Sequence, residues 1–139
     1  MRIKFGEIED AFLFVSMSPQ FSNQAILCRE TGEIYYTSEY TGEDEIPEDV
    51  YENDMCISIP HKNELDLGKD LVFEFVEENI PEMYERVYRI FKKRGAYTQY
   101  KDLLDEKGML QQWYDFENDR QTQALKKWCS ENEIELVDE

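Results

Sequence analysis

Histidine is almost absent from this sequence: His61 is the only one among 139 residues. A closed transition-metal site needs about four nitrogen or sulfur ligands, which one histidine and three dispersed cysteines cannot easily supply from a single chain. The glycine-rich motifs that bind phosphates and dinucleotides are missing as well, as is the nucleophile elbow of serine hydrolases. We therefore expect no metal site, no cofactor and no catalytic residue of these classes.

Cysteine is also scarce. Cys28, Cys56 and Cys129 are odd in number, scattered, and contain no C-x-x-C pair. This pattern is typical of reduced thiols in a reducing compartment. Cys56 and His61 are close in sequence, but no third group that would orient them is identifiable. The pattern therefore favours a buried Cys56 and a surface His61 over a catalytic pair.

Long apolar runs are missing from the chain. No run approaches the roughly 20 residues that a membrane-spanning helix requires, and the first five residues lead directly into charged sequence rather than into a signal peptide. We therefore expect a cytoplasmic protein that does not contact membranes.

Positive charge is in short supply: 15 Lys and Arg stand against 32 Asp and Glu, which gives a formal net charge of −17. Such a field repels nucleic acid backbones and anionic membranes and favours basic partners. Solubility alone is the simpler explanation of the charge. However, the hydrophobic content of 41% is too high for a disordered acidic tail. We predict a folded acidic domain that does not bind nucleic acid directly.

Amphipathic periodicity organises residues 80–128. Apolar residues recur at helical spacing up to Phe91, Gly95 is placed for a left-handed helix end, and two further apolar stripes follow on either side of Gly108. A further helix is predicted over residues 65–78, so this half predicts a bundle of about four helices. The last helix is expected to end near Asn132, leaving Ile134–Val137 as an extended tail that could add an edge strand.

The first 60 residues predict a helix and a small sheet. The helix is expected over Glu7–Met17, and Gly32 supplies the turn between strands at Gln24–Cys28 and Ile34–Thr37. Met55–Ile59 is the expected third strand. The fold class is therefore α+β: an N-terminal helix, a small antiparallel β-sheet and a C-terminal bundle of about four helices. We expect a single domain over residues 1–139, divided into parts 1–60 and 61–139.

Residues 39–54 form a segment dense in Asp and Glu and empty of Lys and Arg. Its few apolar residues, Ile46, Val50 and Tyr51, are too far apart for a sustained stripe. We expect a solvated loop that contributes little to the core, with a turn of helix after Pro47. A docking segment for a basic partner is the functional alternative. Calcium binding is not favoured, because the order of ligands in an EF-hand is missing.

Basic residues cluster near the end of the central predicted helix. Arg86, Arg89 and Lys93 share one helix face at i, i+3 and i+7. Cations near a helix C-terminus are favoured by the helix dipole, which explains the cluster structurally. The functional alternative is a binding patch for an anionic ligand.

Arg120 interrupts the aromatic face of the last predicted helix, seven residues after Trp113. A buried guanidinium must stack on an aromatic ring or pair with an acid. Its predicted partners are Glu117 and Asp102. The alternative is a recognition arginine in a groove, which makes Arg120, Trp113 and Tyr114 candidate binding residues beside Arg86, Arg89 and Lys93.

Several short motifs are spread over nearly the whole chain. They are Glu30-Thr31-Gly32-Glu33, Ile59-Pro60, Phe75-Val76, Arg94–Tyr97 with Tyr100–Asp102, Trp113–Phe116, Arg120, and Trp128 before Asn132–Glu135. Together these motifs resemble an uncharacterised bacterial protein family of the UPF series. Tyr97 stands where similar chains typically carry Phe, and Cys129 replaces a usual aliphatic residue. The resemblance implies the same fold outline and brings no activity, cofactor or catalytic residue.

Three functional hypotheses follow from these patterns. The first is a non-catalytic cytoplasmic protein–protein interaction domain with a basic partner. The second is a nucleic-acid mimic that occupies the site of a nucleic-acid-binding protein. The third is a small-ligand enzyme that uses Arg86, Arg89 and Arg120 with carboxylates from Asp102 or Asp115. The oligomeric state is left open.

Overall fold

The computed structural model describes residues 2–19, 21–39 and 46–137. Two compact units are distinguished by their internal contacts. The first comprises residues 1–65 and 124–139, and the second comprises residues 66–123. The single domain divided at residue 60 stays a prediction. In the described parts of the chain, no helix is both long and apolar enough to cross a membrane.

The first unit begins with strand β1 (Arg2–Lys4), which leads directly into helix α1 (Phe5–Ser16). The buried face of α1 consists of Ile8, Ala11, Phe12 and Val15, as the sequence pattern predicts. Strand β5 (Glu135–Val137) pairs with β1 in parallel. The tail therefore adds a strand, although β1 itself was not predicted, since three residues are too few to show a period.

A three-stranded antiparallel sheet is the centre of the first unit. It comprises β2 (Asn23–Cys28), β3 (Ile34–Ser38) and β4 (Cys56–Ser58) in the order β3-β2-β4. Gly32 has φ 80°, which confirms the predicted hairpin turn. Helix α1 contacts β2, and the side-chain amide of Asn23 donates to the Phe14 carbonyl oxygen.

The acidic segment contributes two anchors to this sheet, so the prediction that it adds little to the core is wrong. Ile46 and Val50 are buried against Ile26 and Cys28, and Val50 lies in helix α2 (Glu48–Tyr51), the turn expected after Pro47. Ile46 lies just before the helix and Val50 within it, so the extended backbone at Pro47 and one turn of α2 bring both side chains to the same cluster. Residues 40–45 of the segment lie outside the described residues.

The prediction of reduced thiols is wrong for two of the three cysteines. Cys28 and Cys56 form a disulfide, while Cys129 is free and buried. The cause is the register of the sheet, which places Cys28 of β2 directly opposite Cys56 of β4 with their Cα atoms 4.0 Å apart. A sequence separation of 28 residues hides this pairing from any local pattern.

The second unit is helical. It contains α3 (Lys69–Asn79), α4 (Tyr84–Ile90), α5 (Ala96–Glu106) and residues 110–123 of α6 (Leu110–Glu131). Gly95 has φ 70°, which confirms the predicted left-handed position. Gly108, predicted as the break between two helices, is also left-handed, with φ 69°. The buried core centres on Phe75, Tyr100 and Trp113. Together with the small sheet, these helices confirm the α+β class.

Two helix starts differ from the prediction. Helix α3 begins at Lys69, because residues 62–65 form a 3₁₀ turn and Gly68 precedes the helix. Helix α4 begins at Tyr84, after a 3₁₀ turn over Pro81–Met83. Both starts follow the residues that favour turns rather than the first apolar residue of the stripe.

Candidate functional site

An open acidic cleft in the first unit is the candidate functional site. Its volume is about 400 Å³. Three carboxylates and two tyrosine rings dominate its walls, which come from the N-terminal half of α1 and from the hairpin that leads into β3. The lining residues are Glu7, Asp10, Gly32, Glu33, Ile34, Tyr35 and Tyr36.

Helix α1 positions two of the carboxylates. Glu7 and Asp10 are three residues apart, so they lie on neighbouring turns of the same side of the helix, away from its buried face. The ring of Phe14 makes an edge-on contact with the ring of Tyr36 on β3, with centroids 5.2 Å apart and an interplanar angle of 87°. This contact ties α1 to the strand that forms the opposite wall of the cleft.

The hydroxyl of Tyr36 lies in the field of these carboxylates. Its pKa is raised above the ordinary tyrosine value, mainly by burial and then by the charges of Asp10 and Glu7. A negative tyrosinate would be repelled there, whereas a cation would be attracted. The electrostatics of this wall therefore favour a positively charged ligand.

The other tyrosine of the cleft is held by its own hydrogen bond. The Tyr35 hydroxyl donates to Glu33 Oε2 at 2.6 Å, and this bond raises the pKa of Tyr35, followed by smaller effects that include the charges of Glu33 and Asp49. The bond fixes the direction of both side chains. A tyrosine ring beside a carboxylate can contact a Lys or Arg side chain through both the ring face and the charge.

The cleft carboxylates have no cationic partner in the described parts of the chain. The ion pairs found there join Arg2 to Glu135, Arg89 to Glu85, Arg120 to Glu74 and Lys127 to Glu131. The imbalance extends over the whole first unit, which contains 19 Asp and Glu against 6 Lys and Arg, compared with 13 against 9 in the second unit. The negative charge is thus concentrated in the unit that contains the cleft.

The basic residues predicted as a binding patch all belong to the second unit. Arg86 and Arg89 lie on α4 and are exposed, but the helix ends at Ile90, so Lys93 lies beyond it rather than on the same helical face. Arg89 pairs with Glu85 at 3.6 Å. Such an exposed pair between turns of one helix contributes little to stability.

Arg120 has a structural partner, but the predicted identity of that partner is wrong. The guanidinium donates to both carboxylate oxygens of Glu74 on α3, with Nη1 at 3.1 Å from Oε2, rather than to Glu117 or Asp102. It also lies 5.1 Å from the ring centre of Phe116. The two charged side chains are 36% and 38% exposed, so the pair is only partly desolvated.

The aromatic candidates of α6 have different environments. Trp113 is 1% exposed and packs edge-on against Tyr100 and Phe75, with centroids 5.1 and 5.4 Å apart. Tyr114 is half-buried, with the Lys101 ammonium 5.6 Å from its ring centre. Burial gives Trp113 a core position that does not favour direct contact with a ligand, and the binding roles of both residues stay predictions.

A second, smaller pocket of about 140 Å³ lies beside His61. The expectation of a surface histidine is wrong, since His61 is 4% exposed. Its Nε2 donates to the Ser18 carbonyl oxygen at 2.9 Å, and its Nδ1 accepts from the Asn63 N–H at 3.1 Å. Both ring nitrogens thus have partners, and Cys56 is engaged in its disulfide, so the structure forms no thiol–imidazole pair.

Sequence reasoning did not find the acidic cleft. The only local signals are the two carboxylates three residues apart on α1 and the Tyr35-Tyr36 pair on β3. In a chain with 32 acidic residues such a pair is not distinctive. What creates the site is the packing of α1 beside β3, a contact between segments more than 20 residues apart.

Comparison with known proteins identifies one family. The family model described as Uncharacterised protein family (UPF0158) matches residues 23–139 of this chain. No curated protein and no solved structure matches the chain. The family description names no activity, substrate or partner.

Proposed function

We propose, for a chain that belongs to the uncharacterised protein family UPF0158, a non-catalytic role as an acidic domain that binds a basic protein partner. The observation that carries the proposal is the acidic cleft, whose lining combines two tyrosine rings with three carboxylates that have no cationic partner among the described residues. Carboxylates and aromatic faces together suit the ammonium group of Lys or the guanidinium group of Arg.

The charge around the cleft supports the same partner. An excess of carboxylates throughout the first unit steers a cationic protein toward this surface and raises its association rate, and salt weakens the effect. The cleft volume of about 400 Å³ lies near the lower end of the range of small-molecule pockets, so the cleft has room for a small group only. A short basic segment therefore suits the cleft better than a large rigid ligand does.

The nucleic-acid mimic and the small-ligand enzyme stay predictions from the sequence. The only described partners of Arg120 are Glu74 and the ring of Phe116, and none of its contacts reaches Arg86 or Arg89. The cytoplasmic location likewise stays a prediction. The Cys28–Cys56 disulfide removes the argument for it that was based on reduced thiols.

Capture experiments with two matched variants test the proposal. The cleft variant combines Glu7→Gln, Asp10→Asn and Glu33→Gln. The control variant combines Glu52→Gln, Asp54→Asn and Glu133→Gln, exposed residues of the same unit outside the cleft lining. Both variants lose three charges and the same residue types.

We expect the parent and the control to retain the same basic protein from a cell lysate at low salt and to release it at high salt, while the cleft variant does not retain it. Circular dichroism and thermal unfolding confirm that both variants are folded. Identical captured proteins for all three chains would contradict the proposal, because the cleft would then play no part in binding.

A further inference from the structure

The outer edge of β3 lies along the acidic cleft. In the described residues β3 has one neighbouring strand, β2. The hydrogen bonds from Cys28 N–H to the Glu33 oxygen and from Glu39 N–H to the Ser22 oxygen fix which backbone groups face β2. Because these directions alternate along an antiparallel pair, Tyr35 and Thr37 also face β2, whereas the N–H and C=O groups of Ile34 and Tyr36 point away from it.

These outward backbone groups have no hydrogen-bond partner among the described residues. An exposed row of this kind is a template for a further strand. Natural proteins often protect such an edge with lysine or proline side chains. Here the flanking side chains are carboxylates, so the edge repels acidic chains but not basic ones.

Carboxylates flank both faces of this edge. Tyr36 and Ile34 point toward the face covered by α1, where Glu7 and Asp10 lie. Tyr35 points toward the opposite face, where it packs on the cluster of Ile26 and Val50. On that second face its neighbours include the charges of Glu33 and Asp49.

We infer that the partner binds by strand addition: an extended segment pairs with the outer edge of β3 and places two consecutive basic residues opposite Tyr36 and Tyr35. The inference rests on the proposed function and specifies its mode. Backbone hydrogen bonds to Ile34 and Tyr36 supply affinity that does not depend on side chains, and the carboxylates select the charge.

Two consecutive basic residues are required because the side chains of neighbouring residues in a strand point to opposite faces. The residue opposite Tyr36 lies on the α1 face, within reach of Glu7 and Asp10. The next residue lies on the other face, near Glu33. One cation is thus matched to the carboxylates of each face. A second copy of this chain does not suit the edge, because its own carboxylates would meet these.

Synthetic peptides with modified backbones test strand addition without altering the protein. The probe is the capped hexapeptide acetyl-Thr-Val-Lys-Arg-Val-Thr-amide. Two derivatives have N-methyl groups on either the odd-numbered or the even-numbered residues, so their composition, charge and number of lost N–H groups are identical. A fourth peptide replaces Lys and Arg with Gln.

We expect the unmodified peptide to bind the parent chain, more weakly as salt rises, and to slow hydrogen exchange at the Ile34 and Tyr36 amides. One N-methylated derivative should bind about tenfold more weakly or worse, and the other within about twofold, because only alternate amides of an added strand face its neighbour. The Gln peptide should bind at least about tenfold more weakly than the unmodified one.

The outcomes separate strand addition from the proposed function. Strand addition is overturned if both methylation patterns weaken binding equally and the Ile34 and Tyr36 amides are not protected. If the cleft variant also loses binding in that case, the proposal of a basic partner is retained. Binding that the cleft variant retains in full overturns both. Failure of the unmodified peptide to bind the parent in the millimolar range overturns strand addition, while the capture experiment independently decides on the basic partner.

Discussion

Arg120 illustrates how a charged residue is accommodated beside an aromatic core. The guanidinium is held by two hydrogen bonds to Glu74 and lies against the ring of Phe116. Roughly one third of each charged side chain is exposed. Solvent therefore screens the pair, and its contribution is closer to that of a surface pair than to that of a fully buried one.

The pair predicts a specific coupling between Arg120 and Glu74. We expect Arg120→Met to lower the free energy of unfolding by about 1–2 kcal/mol, and Glu74→Gln in the same chain to recover part of that loss. Urea unfolding of the two single variants and the double variant measures the coupling. Asp102→Asn is the control and should combine additively with Arg120→Met. Coupling to Asp102 rather than to Glu74 would contradict the structure.

The sequence indicated part of this arrangement. Helical spacing placed Arg120 on the aromatic face of α6 and required a carboxylate there. The partner was missed because Glu74 is 46 residues away, and only the packing of α3 against α6 within the second unit brings it close. Residue-scale chemistry was thus predictable, whereas the partner depended on tertiary structure.

Tyr100, unlike Arg120, is a residue whose substitution should preserve or raise stability. It is fully buried, and its hydroxyl has no hydrogen-bond partner among the described residues. We expect Tyr100→Phe to leave the free energy of unfolding unchanged or to raise it by up to about 1 kcal/mol, because a buried unpaired hydroxyl is costly. Urea unfolding at neutral pH measures this. A loss of more than about 1 kcal/mol would show that the hydroxyl is bonded.

The alkaline limb of the stability curve gives a second readout for the same variant. Burial, followed by the charge of Glu117, raises the pKa of Tyr100 in the folded state. The folded state therefore holds this proton more tightly than the unfolded state, and stability falls as pH rises above the ordinary tyrosine range near 10. Above that pH, the free energy of unfolding should fall less steeply with pH in Tyr100→Phe than in the parent.

At the scale of elements, helix α2 acts as an anchor of the acidic segment. Val50 is buried against the second face of the sheet. We expect Val50→Ala to lower the free energy of unfolding by about 2 kcal/mol, from the lost methyl groups and the remaining cavity. Glu52→Ala, one residue beyond the helix and exposed, is the control and should stay within about 0.5 kcal/mol. A loss of unfolding free energy for Val50→Ala as small as that of the control would mean that the segment is a solvated loop.

The disulfide between β2 and β4 gives a prediction of its own. Alkylation of unfolded but unreduced protein should label one cysteine, Cys129, and mass spectrometry after reduction should count three. Reduction should also lower stability, by up to about 3–4 kcal/mol for a closed loop of this length. Three labelled cysteines before reduction would show that Cys28 and Cys56 are free thiols.

Elements with strong local signals were predictable, and pairings between distant segments were not. The left-handed glycines and the helical stripes follow from backbone geometry and periodicity, so the hairpin and the main helices were predicted within a few residues. The pairing of β1 with β5 and the placing of α1 beside β3 join residues far apart in sequence. The acidic cleft depends on the second of these contacts, so no local pattern revealed it.

At the scale of the whole molecule, the uneven charge predicts how stability responds to salt. The first unit contains 19 acidic and 6 basic residues, and like charges repel one another in the folded state more than in the extended chain. We expect the Tm to rise by a few degrees between about 20 mM and about 500 mM NaCl as this repulsion is screened. A Tm that falls with NaCl would show that attractive ion pairs dominate.

The same carboxylates affect how copies of this chain behave toward one another. Two exposed β3 edges could otherwise pair and begin an aggregate, as unprotected edge strands do. Glu7, Asp10 and Glu33 bring like charges together whenever two such edges approach. The acidic surface proposed to receive a basic partner would thus also oppose self-association. Neutralising its carboxylates would leave the β3 edge unprotected. The same three side chains would then maintain both solubility and partner binding. A substitution that removes one of these carboxylates would therefore weaken both properties.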